Sequence, residues 1–289
     1  MQGECGVDMT AIGRVGVFGG GRMGAGIAHA FAVAGAEVVV IENDDAAAGS
    51  SEKRVRESIE KAVNLGKTDR SLEALTASVT FSIEPAALSQ CELVIEAVPE
   101  QLELKHRVLL IAERSAPRAA LATNTSSISI SELAGVLAEP ERLIGLHFFN
   151  PVPSSDLVEI VVGRQTPSSL VERAEAWVLS LGKTSITVAD SPGFASSRLG
   201  VGLALEAMRM LEEGVASASD IDLAMTLGYR HPMGPLRTTD LVGLDVRLAI
   251  AEQLHAAFGE RFQPPAILHE LVARGDLGRK AGRGFYEWN

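Results

Sequence analysis

Two residues set the chemical question. Residues 143–162 read LIGLHFFNPVPSSDLVEIVV, two apolar runs around a proline-rich turn, with His147 in the first run and Glu159 in the second. Each lies six residues from Pro153. If the turn centres on Pro153 and the runs are antiparallel strands, the two side chains face each other across the ladder. A histidine alone on an apolar strand is most often a satisfied core residue, and a glutamate alone usually lies on a wet face. Here Glu159 is flanked by Leu157-Val158 and Ile160-Val161-Val162, so its carboxylate needs a partner, and His147 can be that partner. A carboxylate on one imidazole nitrogen fixes the tautomer and supports the imidazolium that forms when the other nitrogen takes a proton. The pair is therefore a candidate general base for a hydroxyl.

An oxidant for the same carbon is written near the start of the chain. Val15–Phe18 is an apolar run, followed by Gly19-Gly20-Gly21-Arg22-Met23-Gly24 and an amphipathic helical segment. A second apolar run, Val38–Ile41, ends at Glu42, eighteen residues after Gly24. This is the strand–turn–helix–strand–acid pattern that binds a dinucleotide. Gly19 permits the tight turn, Gly21 lets the backbone approach a pyrophosphate, and Gly24 allows close packing of the helix. Arg22 and Met23 open the helix whose N-terminus faces the phosphates. Glu42 is placed to accept from the adenosine ribose hydroxyls. Asn43-Asp44-Asp45 follows it with no arginine or lysine alongside, so the expected cofactor is NAD rather than NADP. Thr123-Asn124-Thr125-Ser126-Ser127 follows another apolar strand, where ligands bind in parallel sheets; an N-cap at Ser129 or Ser131 explains part of this cluster but not all of it. No residue spacing suits zinc and no G-x-S-x-G elbow is present, so no metal is expected.

The rest of the chain must position these groups. A length of 289 residues with 46% hydrophobic and 22% charged residues suits one large or two moderate globular domains. The net charge of −11 argues against general nucleic-acid or anionic-membrane partners. Residues 1–12 read as a loose leader without a signal peptide. The longest apolar stretch, Leu199–Leu211, carries Glu206 and Arg209 and is too short to span a bilayer. The two cysteines, Cys5 in the leader and Cys91 at the start of an apolar strand, fit no metal spacing and suit a reducing cytoplasm.

Expected strands are Val15–Phe18, Val38–Ile41, Val79–Phe81, Leu93–Glu96, Ala120–Thr123 and Leu143–Phe148, with Leu157–Val162 and Ser185–Val188 antiparallel at the sheet edge. A long solvated helix is expected over Ala46–Leu65. Asp190-Ser191-Pro192-Gly193 breaks the pattern. Beyond it the periodicity is helical over Arg198–Glu213, Ser219–Leu227, Leu241–Phe258 and Ala266–Arg274, with N-caps at Ser217–Asp220 and Thr239-Asp240. The fold expected is α/β: a Rossmann-type doubly wound, mostly parallel sheet over residues 1–190, then an all-helical domain over 191–289 for substrate and dimerisation.

Together GGGRMGAGIA, ATNTSSISI, GLHFFNPVP with LVEIV, DSPGF and HPMGPL with DLVGLD resemble the bacterial 3-hydroxyacyl-CoA dehydrogenases of the 3-hydroxybutyryl-CoA type, from about Val15 to Tyr286. The resemblance implies NAD-dependent, reversible oxidation of an (S)-3-hydroxyacyl-CoA. It makes His147 the catalytic base, Glu159 its paired carboxylate and Ser126 a contact to substrate and nicotinamide. It makes Asn150, Glu100, Lys105 and Lys280 cofactor contacts. It puts Ser58 near the CoA, where Lys61 or Lys67 could meet phosphates. One departure stands out: Ser197 occupies the place of an asparagine after Pro192-Gly193-Phe194, replacing a donor and an acceptor near the thioester by one short hydroxyl. The resemblance also implies a homodimer through the helical domain, whose runs Val201–Met210 and Leu241–Ile250 carry more apolar surface than one bundle needs. The same His–Glu pair would serve a carrier-protein-bound hydroxyacyl group or a free hydroxy or sugar acid, and a non-catalytic NAD-binding protein is the reading from another class.

Overall fold

A computed structural model describes residues 12–288; residues 1–11 of the expected leader, with Cys5, lie outside the described residues, whereas Ile12 is not loose but buried in the core. The chain divides between Asp190 and Ser191 into two compact units.

The first unit alternates strands and helices: β1 (Arg14–Phe18), α1 (Arg22–Val33), β2 (Glu37–Ile41), α2 (Asp45–Asn64), α3 (Leu72–Ala77), β3 (Val79–Ser82), β4 (Leu93–Glu96), α4 (Leu102–Ser115), β5 (Ala120–Thr123), α5 (Ile130–Ala134), β6 (Leu143–Phe148), β7 (Leu157–Val162), α6 (Ser168–Ser180) and β8 (Thr184–Ala189). The eight strands form one sheet in the order β3-β2-β1-β4-β5-β6-β7-β8. Strands β1 to β6 are parallel; β7 runs antiparallel to β6, and β8 runs parallel to β7, so the last two oppose the rest. The order reverses at β1, between β2 and β4, which opens a crevice at the carboxyl ends of β1 and β4. Helix α1 is nearly all small or apolar and buried along its length. Helix α2 buries only Ser51, Val55, Ile59 and Ala62, a stripe of period three to four; its remaining charged face is solvated. Asp44 caps it by accepting from the Ala47 N–H.

The second unit is helical: α7 (Ser196–Glu212), α8 (Ala218–Leu223), α9 (Pro235–Val242), α10 (Leu244–Phe258) and α11 (Ala266–Arg274). Its core joins Val201, Leu205 and Met208 of α7 to Leu236, Leu244, Leu254 and Leu268. Three expectations change here. The run expected as one helix over Leu241–Phe258 is two, because Gly243 takes φ +106° and turns the chain between α9 and α10. The segment over Ser219–Leu227 leaves α-geometry after Leu223 and finishes as a π-turn at Gly228. Thr239 and Asp240 are not an N-cap; both are buried inside α9. Asp240 instead accepts from the Phe285 and Tyr286 N–H groups and from the Trp288 indole, and so fastens the chain's last turn. Ser217 does cap α8, through the Asp220 N–H.

Among the described residues no helix is long and apolar enough to cross a membrane.

Candidate active site

The carboxyl ends of β1, β4, β5 and β6 lie side by side, and the groups singled out above converge on them. At β1, Gly19 takes φ +85°, a region that favours glycine. A Cβ on Gly24 would collide with the Gly19 carbonyl oxygen, whereas one on Gly21 would meet nothing within 4 Å. The turn is thus tight behind and open in front. Helix α1 has no side-chain cap, leaving its first N–H groups for a ligand. These features fit a dinucleotide pyrophosphate, held by the Gly19–Gly24 turn and the start of α1.

Glu42, just after β2, accepts from the Gly20 N–H at 2.8 Å and from the Ser51 hydroxyl. A basic residue distant in sequence also reaches this turn. Arg54, on α2, donates from Nε to the Gly20 carbonyl and from Nη2 to Ser51 Oγ. The Gly20 N–H is therefore held from the end of β2 and its carbonyl from α2. Arg54 lies twelve positions from Glu42, and only the packing of α2 brings it there.

At β4 and β5 the structure adds a residue that sequence reasoning had placed only as a strand end. Glu96 is 1% exposed. It accepts from Lys105 Nζ at 2.7 Å, from the Val98 N–H and from Thr123 Oγ1. Lys105, equally buried, also reaches Glu100 Oε2 at 3.2 Å. Glu100 Oε1 in turn accepts from Thr125 Oγ1 and from the Ser126 and Ser127 N–H groups and the Ser127 hydroxyl. Burial pushes the Glu100 carboxyl up, but Lys105, Thr125 and Ser127 together hold it below the usual range. Glu100 and Lys105 thus shape the Thr123–Ser127 loop and leave Ser126 exposed on it. The signal for Glu96 was its place: an acid ending a wholly apolar strand beside the glycine turn, level with Phe18 in the ladder. Ser129 does cap α5, while Asp190 takes the Ser129 hydroxyl and the Ile130 and Ser131 N–H groups.

At β6, His147 and Glu159 are register partners in the antiparallel β6–β7 ladder. Glu159 Oε2 and His147 Nδ1 are 2.7 Å apart, with Glu159 fully buried and His147 7% exposed. The Phe149 ring lies 4.6 Å from the imidazole, centroid to centroid. Asn124, at the end of β5, accepts from the Phe148 N–H, tying the polar loop to the residue after His147. Asn150 is exposed just beyond.

The remaining expected site residues are on α2 and in the C-terminal unit. Ser58, on α2, is hydrogen-bonded to His29 Nδ1 at 2.6 Å, so its hydroxyl faces α1. His29 is pulled down to about 4 by its burial, with Lys183 adding to the effect. Ser197 lies in the first turn of α7 and is half-buried. Lys280 is ion-paired with Asp245 on the first turn of α10, at 2.6 and 2.7 Å to the two oxygens. Cys91 is buried, and burial pushes its thiol up to about 11, which makes it an inert core residue. No cluster of three or more His, Cys, Asp or Glu among the described residues could hold a metal ion.

Comparison with known proteins agrees with this geometry along the whole chain. Residues 14–191 match the family model of the 3-hydroxyacyl-CoA dehydrogenase NAD binding domain, and residues 193–288 match that of the C-terminal domain. A 3-hydroxybutyryl-CoA dehydrogenase of Mycobacterium tuberculosis is 43% identical over 283 residues, covering 96% of this chain and 99% of the relative. The human mitochondrial hydroxyacyl-coenzyme A dehydrogenase is 37% identical, covering 94% of this chain and 90% of the relative. The crystal structure of (S)-3-hydroxybutyryl-CoA dehydrogenase from Ralstonia eutropha superposes with a TM-score of 0.92 at 40% identity, covering 96% of this chain and 99% of that one.

Proposed function

Since the chain belongs to the 3-hydroxyacyl-CoA dehydrogenase family, we propose that its substrate is a short (S)-3-hydroxyacyl-CoA such as 3-hydroxybutyryl-CoA, oxidised reversibly to the 3-oxoacyl-CoA. The protein is an NAD-dependent oxidoreductase acting on a CH–OH group.

Bound NAD supplies the hydride acceptor; the chain's own residues do the rest. His147 Nε2 takes the substrate's hydroxyl proton, since Nδ1 faces Glu159. Glu159 keeps the ring in one tautomer and orientation and balances the imidazolium charge. In the reverse direction the imidazolium returns the proton to the developing alkoxide. Ser126 offers a hydroxyl to the substrate oxygen from a loop that Glu100 holds still, so little reorganisation accompanies the reaction. Ser197 contacts the acyl group from the C-terminal unit, Ser58 lies toward the CoA, and Asn150, Glu100, Lys105 and Lys280 serve the cofactor.

The observation that carries this reading is the buried His147–Glu159 pair at the carboxyl end of β6, in the same sheet edge as an uncapped glycine turn. The test is NADH oxidation with acetoacetyl-CoA. Turnover supports the reading; no NADH oxidation with any 3-oxoacyl thioester, while NAD binding is measurable, contradicts it.

A homodimer through the C-terminal unit is part of the same proposal. The α7 run Val201–Met210 is largely internal core. The apolar surface that supports association lies instead at Leu199, Leu227 and Tyr229, each about three-quarters exposed, with Leu241, Val242 and Val246 nearby in the chain. Sedimentation at micromolar concentration giving the mass of one chain would refute it. The sparing use of cysteine supports a cytoplasmic location.

A further inference from the structure

An anion and a cation share one hydroxyl beside the glycine turn of the first unit. Glu42 takes the Gly20 N–H and the Ser51 hydroxyl on a single oxygen, Oε1, and its second oxygen has no donor among the described residues. Ser51 is fully buried, with its Oγ 3.1 Å from the Gly20 carbonyl oxygen. From the other side Ser51 Oγ accepts from Arg54 Nη2 at 3.2 Å, while Arg54 Nε donates to the Gly20 carbonyl at 2.9 Å. A Cβ on Gly20 would overlap Ser51 Oγ, so the group closes on bare backbone.

The arrangement keeps the two charges apart. Among the described residues Arg54 forms no ion pair, whereas its neighbour Lys53 pairs with Glu57. A guanidinium carries donors on three nitrogens. Here Nε and Nη2 are engaged, and Nη1 has no acceptor among the described residues. Arg54 is exposed, so a ligand reaches it without displacing a partner. Asp44, the acid at the start of α2, is spent on the Ala47 N–H. An acid at the end of the second strand suits the two neutral hydroxyls of an adenosine ribose, and a nearby arginine accommodates a phosphate on the 2′ oxygen. Glu42 by itself repels such a phosphate. With Arg54 one hydroxyl away, that repulsion meets a compensating charge whose planar donors match phosphate oxygens.

We propose that Arg54 is a cofactor-specificity residue that admits a 2′-phosphate, so that the protein binds NADP(H) as a second cofactor at the same glycine turn. NAD remains preferred, because Glu42 still favours free ribose hydroxyls. A dinucleotide at that turn is the one premise taken from the functional reading; the identity of the thioester does not enter. The nicotinamide is the same in both cofactors, so the hydride exchanged with substrate is unchanged.

The test is equilibrium binding of NADH and of NADPH, followed by nicotinamide fluorescence, to the full chain and to Arg54→Met. The wild type binds NADPH within about a hundredfold of NADH. The substitution weakens NADPH by about thirtyfold, the scale of a lost charge-assisted contact, and NADH by only about threefold through the loosened Gly20 carbonyl, so the preference widens about tenfold. A wild-type gap wider than that hundredfold overturns the inference without needing the variant. So does an equal loss of both cofactors in Arg54→Met, which would make Arg54 a brace of the glycine turn and nothing more. Binding of NADH without NADPH removes this inference alone; binding of neither removes the cofactor assignment together with it.

Discussion

Two buried pairs of a carboxylate and a basic nitrogen, each with its acid on a strand of the same sheet, share a geometry and differ in chemistry. Lys105 and Glu96 are each 1% exposed and 2.7 Å apart; His147 and Glu159 are almost as buried and also 2.7 Å apart. The ammonium is held by two carboxylates and the Val98 carbonyl. Held from three sides, the ammonium makes the cluster a clamp that fixes the β4 and β5 loops. The imidazole carries charge only while it holds an extra proton. The same carboxylate-to-nitrogen distance therefore becomes a proton-exchange device when the cation is conditional. Distance and burial alone do not separate a clamp from a proposed proton-transfer pair; the second ring nitrogen of the imidazole, which an ammonium lacks, does.

That comparison is sharpest where the two basic partners are removed. Replacing His147 by Gln is expected to lower kcat about a thousandfold, at the scale of lost acid–base catalysis, while NAD binding, followed by nicotinamide-independent titration such as calorimetry, persists. A kcat within about threefold of wild type would make His147 another clamp. Replacing Lys105 by Met is expected to act on the fold first. It leaves Glu96 and Glu100 buried without their cation and costs about 4 kcal/mol of unfolding free energy in urea titration. A variant as stable as the wild type would show that the surrounding N–H and hydroxyl donors suffice. The third contrast is His29, a buried imidazole beside a hydroxyl rather than a carboxylate. Its folded pKa of about 4 lies below the ordinary 6.5. The folded ring stays neutral while the unfolded chain takes up a proton, so stability is full above pH 6.5 and falls as pH drops toward about 4. The loss totals about 3 kcal/mol, and His29→Gln should flatten that part of the pH–stability curve. An unchanged curve in the variant would assign the acid lability elsewhere.

Legibility in the sequence followed the range of the interactions. The glycine turn and β1–α1–β2 unit are local and periodic, and so is the β6–β7 hairpin, where one polar residue interrupts each apolar strand at equal distance from Pro153. The clamp was half visible: the resemblance pointed to Glu100 and Lys105, but Glu96 acquires its meaning only when β4 pairs with β1 and β5. Arg54 meets the glycine turn through the packing of α2, which no chain neighbour announces. In the helical unit the apolar periodicity runs from Leu241 across Gly243 without interruption, so the positive φ that separates α9 from α10 was hidden. Asp240 looked like a cap because Thr-Asp pairs often are; its donors lie 45 to 48 positions further on. Sequence patterns carried neighbours and periods, and tertiary contacts decided which acids were structural.

Glu159 is proposed to act through His147 rather than beside it. A double-mutant cycle of kcat across His147→Gln and Glu159→Gln measures that dependence. If the two residues form one proton-transfer unit, the double variant is no slower than His147→Gln within about twofold. If the two single losses multiply, Glu159 has an independent task in the reaction and the proposed pair is not the catalytic unit.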